Sequence, residues 1–579
     1  MSCLAVPTRE SAISFVFAPA AFVAPPLAVF APLALAPLLV IVASALLAID
    51  ARQVLANTRG FIGYAALIAL ITVWAAISAL WSPIPGHSLF EAIRLLPIAA
   101  AGLVLIAGAA SLSAGGAART GYALIAGLAV SLLVLQIELR TDEAIAHAIA
   151  RLLPGTVAQM SRYDRGVTVL VTFLWPAVAF FAARRQWFSL ALLVVAVGFT
   201  VINFQSHASM LALAAAPVLG LTTWRLPRLA TAGLIAATFV LAIALPVLTP
   251  HGAEIAQIQR EAPILKPSAI HRLAIWRFVG DRIANRPLLG WGMDSARAIP
   301  GGKTEVDQMF PELHLPATAQ ALPLHPHNAA LQWRLELGIP GVALILMLLY
   351  KALASAARQP ARARVPIFAY AGATWTVGML SFGAWQAWWL SAVWLGLALL
   401  LGLSMEPARA ANQYDRALPP PRSAKKDKDA SGYGLPRRLL SHWSCAARAG
   451  ENRRLHSMLL SAAELVDFLT GRLHARMSSP AAKESSVSGR MLPSALLLIA
   501  ILAFGCGDAR AQFNPRKESQ SIWGVMDQCT RDAFKQFPDY TAEDKAKREQ
   551  ARRKCLEANN LPAPAPPQPS VSGSGSLPH

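Results

Sequence analysis

The sequence predicts an all-α polytopic membrane protein of about twelve transmembrane helices with one large loop outside the membrane. Apolar residues make up 55% of the 579 positions and charged residues only 15%, a balance that soluble domains of this length do not show. The apolar residues also form runs of about 17 to 22, each long enough to cross roughly 30 Å of hydrocarbon as a helix. Helices are expected because lipid offers the backbone no hydrogen-bond partner.

The predicted spans fall on either side of the large loop. Nine precede it: Ser14–Phe30, Ala31–Ile49, Phe61–Trp81, Arg94–Leu112, Gly121–Leu139, Gly166–Ala183, Trp187–Asn203, Gln205–Thr222 and Leu229–Leu248. Three follow it: Ile339–Leu353, Pro366–Phe382 and Ala387–Ser404. Prolines 25, 26, 32 and 37 leave open whether the first two spans are a single bent one, because each removes a helix donor.

The formal charge of +20 predicts the orientation of the spans. In a soluble protein it would suggest nucleic acid as a partner, but here arginines collect in short connections, as they do in cytoplasmic loops. These arginines are Arg52, Arg59, Arg119, Arg184, Arg185, Arg225, Arg228, Arg358, Arg362 and Arg364. With those loops inside, both ends of the unit 1–404 are cytoplasmic, and the segment 249–338, the longest loop, lies outside. The bilayer is then the expected partner, and nucleic acid is not.

The chain changes character after residue 404. Residues 405–490 are predicted to be a basic, largely disordered cytoplasmic tail. Residues 491–511 run from a basic start through an apolar stretch to Ala-x-Ala, which is the pattern of a secretory signal peptide. They are either such a signal, from a second reading frame fused to the first, or an extra span. Residues 512–579 are predicted to be a small secreted-type segment, where a disulfide between Cys529 and Cys555 would suit an oxidising compartment.

The outside loop concentrates histidine and arginine side chains in short blocks. The blocks are HRLAIWR from His271 to Arg277, NRPLLGWG from Asn285 to Gly292, HPHNAAL from His325 to Leu331, and ELG from Glu336 to Gly338. Together with SALWSP from Ser78 to Pro83 and with Arg165 at the start of a span, this order resembles the O-antigen ligase and O-antigen polymerase superfamily of membrane glycosyltransferases. The resemblance covers residues 14 to 404. At residues 205–207 the sequence is QSH, where that family commonly carries Ser-Arg.

The resemblance implies a donor, a mechanism and a location. Members of this superfamily move a glycan off undecaprenyl diphosphate, and they are thought to do so by inversion, with the acceptor hydroxyl attacking the anomeric carbon directly. The implied active site faces the periplasm, in a multi-pass protein of the bacterial inner membrane. No Asp-x-Asp motif stands among the spans and their loops, so we expect no metal and no cofactor.

Such a transfer requires cations for the diphosphate and a base for the attacking hydroxyl. Arginine suits the first task because its planar fork binds phosphate oxygens in bidentate fashion and keeps its charge. The candidates for diphosphate binding are Arg165, Arg272, Arg277 and Arg286. His327 is the candidate base, because histidine titrates nearest neutrality. Asn328 is expected to orient a phosphate or sugar hydroxyl, Glu336 to brace an arginine, and His325 only to shape the loop.

Three functions are compatible with this interpretation. Transfer of the glycan to the lipid A core would make the protein a ligase, which we favour slightly, whereas transfer to another lipid-linked repeat would make it a polymerase. The third, from another class, is a flippase or transporter of lipid-linked oligosaccharides. A transporter would be expected to place charges at mid-membrane and to show related halves. The gathering of polar residues in one loop favours an enzyme.

Overall fold

A computed structural model describes the spans and most of the loop. It describes residues 9–141, 143–152, 163–204, 206–262, 265, 267–313, 315, 319–404, 529, 532–533, 536–537 and 542–558. Within these residues the regular elements are helices, together with one isolated bridge between Glu305 and Gln320. Seven helical stretches among them are long and apolar enough to cross a membrane. The prediction of an all-α polytopic membrane protein is therefore confirmed.

The helices follow one another with short connections outside the large loop. They are α1 (Arg9–Phe30), α2 (Leu35–Thr58), α3 (Ile62–Ile77), α4 (Pro85–Ala109), α5 (Ala114–Arg140), α6 (Ala144–Leu152), α7 (Tyr163–Ala183), α8 (Trp187–Asn203), α9 (His207–Thr222), α10 (Pro227–Ile243), α11 (Leu245–Leu248), α12 (Gly252–Glu261), α13 (Pro267–Asn285), α14 (Val306–Met309), α15 (Ala329–Ala357), α16 (Ala361–Leu380), α17 (Ala387–Ser404) and α18 (Ala542–Ala558). Each predicted span overlaps one of these helices. The count of twelve crossings stays a prediction, because α8, α9 and α10 have only 16 or 17 residues.

The first two predicted spans are separate helices. Pro25 and Pro26 lie inside α1 without ending it. The break comes instead at a 3-10 turn, Pro32–Ala34, where proline stands at the start of the turn and therefore has no amide hydrogen to leave unpaired. The two helices then pack against each other.

Helix α7 lies at the centre of the bundle and is buried along nearly its whole length. Small residues allow its neighbours to approach closely, as is usual between membrane helices. A Cβ atom at Gly166 would lie 2.6 Å from the Val29 Cα of α1, and one at Gly127 of α5 would lie 2.3 Å from the Phe22 carbonyl oxygen. This packing fixes the first turn of α7, which carries Asp164 and Arg165.

Helix α15 begins ten residues before the predicted span. It runs from Ala329, is interrupted at Gly338 (φ 65°, ψ −159°) and continues to Ala357. Its first part is buried although it contains Gln332, Arg334 and Glu336. Those polar residues lower the hydropathy of the segment, and they are buried against other protein groups rather than exposed to lipid.

After α17, the described residues include Cys529 and the helix α18. Cys529 and Cys555, the pair that the sequence analysis singled out, are joined by a disulfide with 5.6 Å between their Cα atoms. Residues 405–490 and 491–511, predicted to be a cytoplasmic tail and a signal-like segment or extra span, lie outside the described residues, as does Gln205. The division of the chain after residue 404 stays a prediction.

The disulfide leads to a prediction about topology. Ser404 is predicted to be cytoplasmic, whereas a stable disulfide requires an oxidising compartment. The chain should therefore pass the membrane once more before Cys529, and the apolar stretch 492–505 is the candidate. We expect Cys529 and Cys555 to resist alkylation in whole cells until a reductant is added, with Cys445 as the cytoplasmic control. Free thiols at both positions would contradict this, and a product starting near Gln512 would identify the stretch as a cleaved signal.

Candidate active site

Helix α13 is hydrogen-bonded to the loop segment that carries the predicted base, His327. Arg272 and Trp276 are four residues apart and so project from the same side of the helix. The Trp276 indole donates a hydrogen bond of 2.9 Å to the carbonyl oxygen of Pro326, the residue before His327. One residue before Arg272, the His271 ring donates from Nε2 to the Gln320 carbonyl oxygen at 2.8 Å. These two bonds hold α13 beside the approach to His327.

His327 is held in a conformation that few non-glycine residues adopt. Its φ is 54°, in the left-handed region, where strain is often found at functional sites. Its Nδ1 lies 2.7 Å from the carbonyl oxygen of Ser381, in the turn between α16 and α17. Because a carbonyl oxygen can only accept, Nδ1 carries the hydrogen, and Nε2 of the neutral ring is the unprotonated nitrogen.

The surroundings keep His327 neutral at physiological pH. Burial lowers the pKa of His327 to about 4; the hydrogen bond to Ser381 opposes this shift, and the positive charge of Arg272 adds to it. The ring is therefore unprotonated above that value and can accept a proton. An anion bound at Arg272 would offset the guanidinium charge and raise the pKa of His327 toward neutrality, which would strengthen it as a base.

Arg272 interacts electrostatically with His327 and with Asp164 in the first turn of α7. Burial lowers the pKa of Arg272, and the Asp164 carboxylate acts in the opposite direction. An arginine remains charged through such shifts. Arg165 follows Asp164 in the chain and is exposed. The charge of Asp164 thus links the start of α7, where Arg165 follows, to Arg272.

Arg277 and Arg286 have other partners. Arg277 is five residues from Arg272, about 140° around the helix, and donates to the Asp281 carboxylate at 2.7 Å. Arg286 donates to the Trp81 carbonyl oxygen at 3.0 Å and lies 4.1 Å above the Trp291 ring. These contacts brace the loop, and they do not join either arginine to His327.

The glycines of the Pro287–Gly292 block have a structural role. The backbone of this block pairs with the first part of α15, since Gly292 N donates to the Glu336 carbonyl oxygen at 2.8 Å. Gly290 and Gly292 both have positive φ angles of 72° and 101°. A Cβ at Gly292 would lie 2.5 Å from the Ser82 Cβ, and one at Gly338 would lie 2.1 Å from the Leu288 carbonyl oxygen. Three of the sequence blocks therefore meet in one tightly packed junction.

Glu336 is the buried centre of that junction. It was expected to brace an arginine, but its carboxylate instead accepts from four other groups. The donors are the Trp385 indole at 2.6 Å, the Asp294 amide at 2.9 Å, the Gln332 side chain at 3.1 Å and the Ala296 amide at 3.3 Å. This carboxylate joins the loop and α15 to the turn between α16 and α17, which carries both Trp385 and Ser381.

Replacing Glu336 by alanine is expected to destabilise the protein. Each buried donor left without an acceptor costs about 1–3 kcal/mol, and the substitution would strand several. Glu336→Gln keeps one acceptor oxygen and should be milder. The measurement is the thermal unfolding midpoint in detergent, with the exposed Glu261→Ala as the control. If Glu336→Ala unfolds at the wild-type temperature, the junction does not depend on this carboxylate.

Asn328, a predicted supporting residue, is a helix cap. Its side-chain oxygen accepts from the Leu331 amide of α15 at 3.0 Å, which is the usual geometry of asparagine at a helix start. The residue is buried. Its structural contribution is to start α15 directly after His327 and so to fix the direction of the chain there.

A second polar cluster lies next to the junction. His87 Nε2 and the Arg297 guanidinium both contact Asp294 Oδ2, at 2.8 and 3.1 Å. Glu91 pairs with Arg94, which also donates to the Trp385 carbonyl oxygen at 3.2 Å.

The second cluster is also the candidate metal site among the described residues. His87, Glu91 and Asp294 each offer a ligand atom within 4.8 Å of the others. The two carboxylates, however, are already paired with arginines. Two guanidinium groups at the site oppose a cation there, so the arrangement favours an ion-pair network.

Several of these site residues carry no signal in the sequence. Ser381 and Trp385 lie about fifty residues after the groups that they contact, in a turn without a recognisable motif. Asp164, next to Arg165, belongs to no sequence motif. His325 was visible as a neighbour of His327, but only the structure shows that it is buried.

Comparison with known proteins shows which family and which individual proteins this chain resembles. Residues 190–346 match a family model described as O-antigen ligase, a stretch that includes Arg272, His327 and Glu336. Three rickettsial proteins, each named "Putative polysaccharide ligase", are similar. The Rickettsia prowazekii protein is 28% identical over 349 residues, which cover 58% of this chain and 80% of that protein. Those of Rickettsia typhi (28%) and Rickettsia conorii (29%) match over 295 and 287 residues, and each match covers 49% of this chain and 67% of the relative. Over residues 190–346 this chain is thus similar to the O-antigen ligases, and over a longer stretch to proteins named as polysaccharide ligases.

Proposed function

We propose that this protein transfers a glycan from undecaprenyl diphosphate to a sugar acceptor, the lipid A core, at the periplasmic face of the inner membrane. The similarity to O-antigen ligases and polysaccharide ligases supports a role in glycan transfer. The observation that carries the proposal is the fixed tautomer of His327: Ser381 holds Nδ1 as the donor, and Nε2 is left to accept a proton beside Arg272.

In the proposed reaction the acceptor hydroxyl attacks the anomeric carbon directly. His327 Nε2 takes the hydroxyl proton as the new carbon–oxygen bond forms. The bond from the anomeric carbon to the diphosphate oxygen breaks, and its electron pair leaves with undecaprenyl diphosphate. Arg272 and Arg165 bind the diphosphate and stabilise the charge that develops on it. One displacement of this kind inverts the anomeric configuration.

The distribution of the polar groups supports a periplasmic site. The groups come from the starts of α4, α7, α15 and α17 and from the end of α16, and their contacts bring these ends together. The short arginine-rich connections join the opposite ends of the same helices. By the positive-inside rule, the polar side then faces away from the cytoplasm.

The proposal can be tested with purified full-length protein in liposomes. The donor is a glycan on undecaprenyl diphosphate, offered with lipid A core or with a second lipid-linked repeat. We expect glycan on the lipid A core and release of undecaprenyl diphosphate. Growth of the glycan only on the lipid carrier would instead identify a polymerase. Translocation of the donor without any transfer would identify a transporter and overturn the proposal.

Metal independence is a separate prediction. Arginines can stabilise a departing diphosphate without a divalent cation, and the two carboxylates of the second polar cluster, Glu91 and Asp294, are paired with arginines. Transfer should therefore proceed at an unchanged rate after EDTA treatment, measured before and after Mg²⁺ is added back. A rate that EDTA abolishes and Mg²⁺ restores would contradict it.

A further inference from the structure

His325 is a buried histidine whose ring nitrogens lack a hydrogen-bond partner within the described part of the chain. It is 8% exposed. Its place is closely fitted, since a Cβ at Gly383 would lie 2.4 Å from the His325 Cδ2 atom. Buried polar atoms without partners are rare, and they call for an explanation such as an absent ligand.

His325 lies directly beside the proposed base. The ring centroids of His325 and His327 are 4.4 Å apart, with the planes inclined at 58°. Burial lowers the pKa of His325 to about 3, with smaller contributions from the His327 ring and the Arg297 guanidinium. His325 is thus neutral at physiological pH, with one nitrogen that donates and one that accepts. That pair of functions matches a hydroxyl group.

The charges near the two histidines differ. The guanidinium that acts on His327 belongs to Arg272, whereas the one that acts on His325 belongs to Arg297. Arg297 is 46% exposed, and one of its five N–H donors is bound by Asp294. His327, His325 and Arg297 are therefore linked, by the ring contact of the two histidines and by the charge of Arg297 acting on His325.

The proposed reaction requires a binding site for the acceptor, and His325 and Arg297 are candidates for it. In an inverting displacement the attacking hydroxyl and the leaving diphosphate lie on opposite sides of the anomeric carbon. If Arg272 binds the diphosphate, the acceptor must approach His327 from another side, and the ring of His325 lies against His327. Asp294 balances the charge of Arg297, so His325 and Arg297 suit neutral hydroxyl groups better than a second phosphate.

We infer that His325 and Arg297 form the acceptor subsite, where they hydrogen-bond hydroxyl groups of an uncharged sugar residue next to the attacking hydroxyl. This inference rests on the proposed function. It assigns to His325 a binding role in place of the loop-shaping role expected from the sequence.

The test compares variants of the full-length protein in the liposome assay. His325→Asn and Arg297→Ala are assayed at varied concentrations of lipid A core and of donor. We expect the KM for the acceptor to rise at least about tenfold, roughly the contribution of one or two hydrogen bonds, with the KM for the donor unchanged. Slow hydrolysis of the donor without acceptor should also stay at the wild-type rate. The matched controls, Lys303→Ala and His251→Ala, replace a lysine and a histidine of the same loop.

The outcomes separate this inference from the proposed function. An unchanged acceptor KM in both variants, while the wild type transfers glycan, would overturn the acceptor subsite alone. Equal losses in acceptor transfer and donor hydrolysis would indicate a structural defect and would also overturn it. Because Arg297 is half exposed, Arg297→Ala should fold even if a His325 variant does not. In that case the acceptor KM of Arg297→Ala alone tests the acceptor subsite. If the wild type transfers to neither acceptor, the proposed function fails first.

Discussion

Replacing His327 by alanine is expected to abolish glycan transfer while the protein still inserts and folds. General-base assistance is worth about 100- to 10,000-fold, and the structure offers His327 with Nε2 unprotonated and Nδ1 bound to Ser381. The fall should appear in kcat, because the base acts on the reacting hydroxyl. It is measured as the initial rate of transfer to lipid A core by the purified protein in liposomes.

The pH dependence gives an independent measure of the same residue. The pKa of His327 is lowered to about 4, so the active, neutral form predominates above that value and is lost as the pH falls through it. For the free enzyme, kcat/KM should thus stay level from neutral pH down to about pH 5 and fall below about pH 4. With the diphosphate bound beside Arg272, the pKa should be higher, and the fall in kcat should begin at a higher pH.

The controls for His327 come from the same loop. His251→Ala removes a histidine from the start of α12 and should leave transfer intact. Folding of each variant is checked by its elution as a single species in detergent. Transfer retained by His327→Ala, or a kcat/KM profile without an acid limb, would remove His327 as the base.

The positions of the membrane helices were accessible from the sequence because hydropathy is a local property. Each apolar run overlaps one helix, and the structure places the junction between α1 and α2 at a 3-10 turn. The start of α15 was misplaced by ten residues for a physical reason. Gln332, Arg334 and Glu336 are buried in protein, so the hydropathy of this part of the helix does not mark its position.

The site was less accessible because it depends on contacts between distant parts of the chain. The blocks around Arg272 and His327 were visible as motifs, but the acceptors and donors that orient them were not. Ser381 is 54 residues from His327, and Asp164 comes from a different helix altogether. The motif at Glu336 was recognised, and its partners proved to be amides and an indole instead of an arginine.

Replacing Arg272 is expected to have the second-largest effect on transfer. Arg272 is proposed to bind the departing diphosphate, and loss of a single donor to a developing negative charge typically lowers kcat about 100- to 1,000-fold. Arg272→Ala should show this loss together with weaker donor binding. The measurement is kcat and the donor KM in the liposome assay, with donor binding followed separately in the absence of acceptor.

Arg277 provides the matched control on the same helix. It is turned about 140° away from Arg272 and is paired with Asp281, which lies on the same helix, α13. An exposed pair of this kind contributes little to stability, so Arg277→Ala should retain nearly the full rate. Similar losses in both variants would mean that α13 has been distorted, and the diphosphate would then need another binding group.

Arg272→Lys distinguishes charge from geometry at this position. Lysine keeps the positive charge but lacks the planar fork that binds two phosphate oxygens at once. If the charge alone matters, the lysine variant should recover most of the rate. We expect only partial recovery, because Arg272 must keep its electrostatic interactions with Asp164 and His327 while it binds the diphosphate. A lysine variant with the full wild-type rate would contradict bidentate recognition, although a cation at residue 272 would still be required.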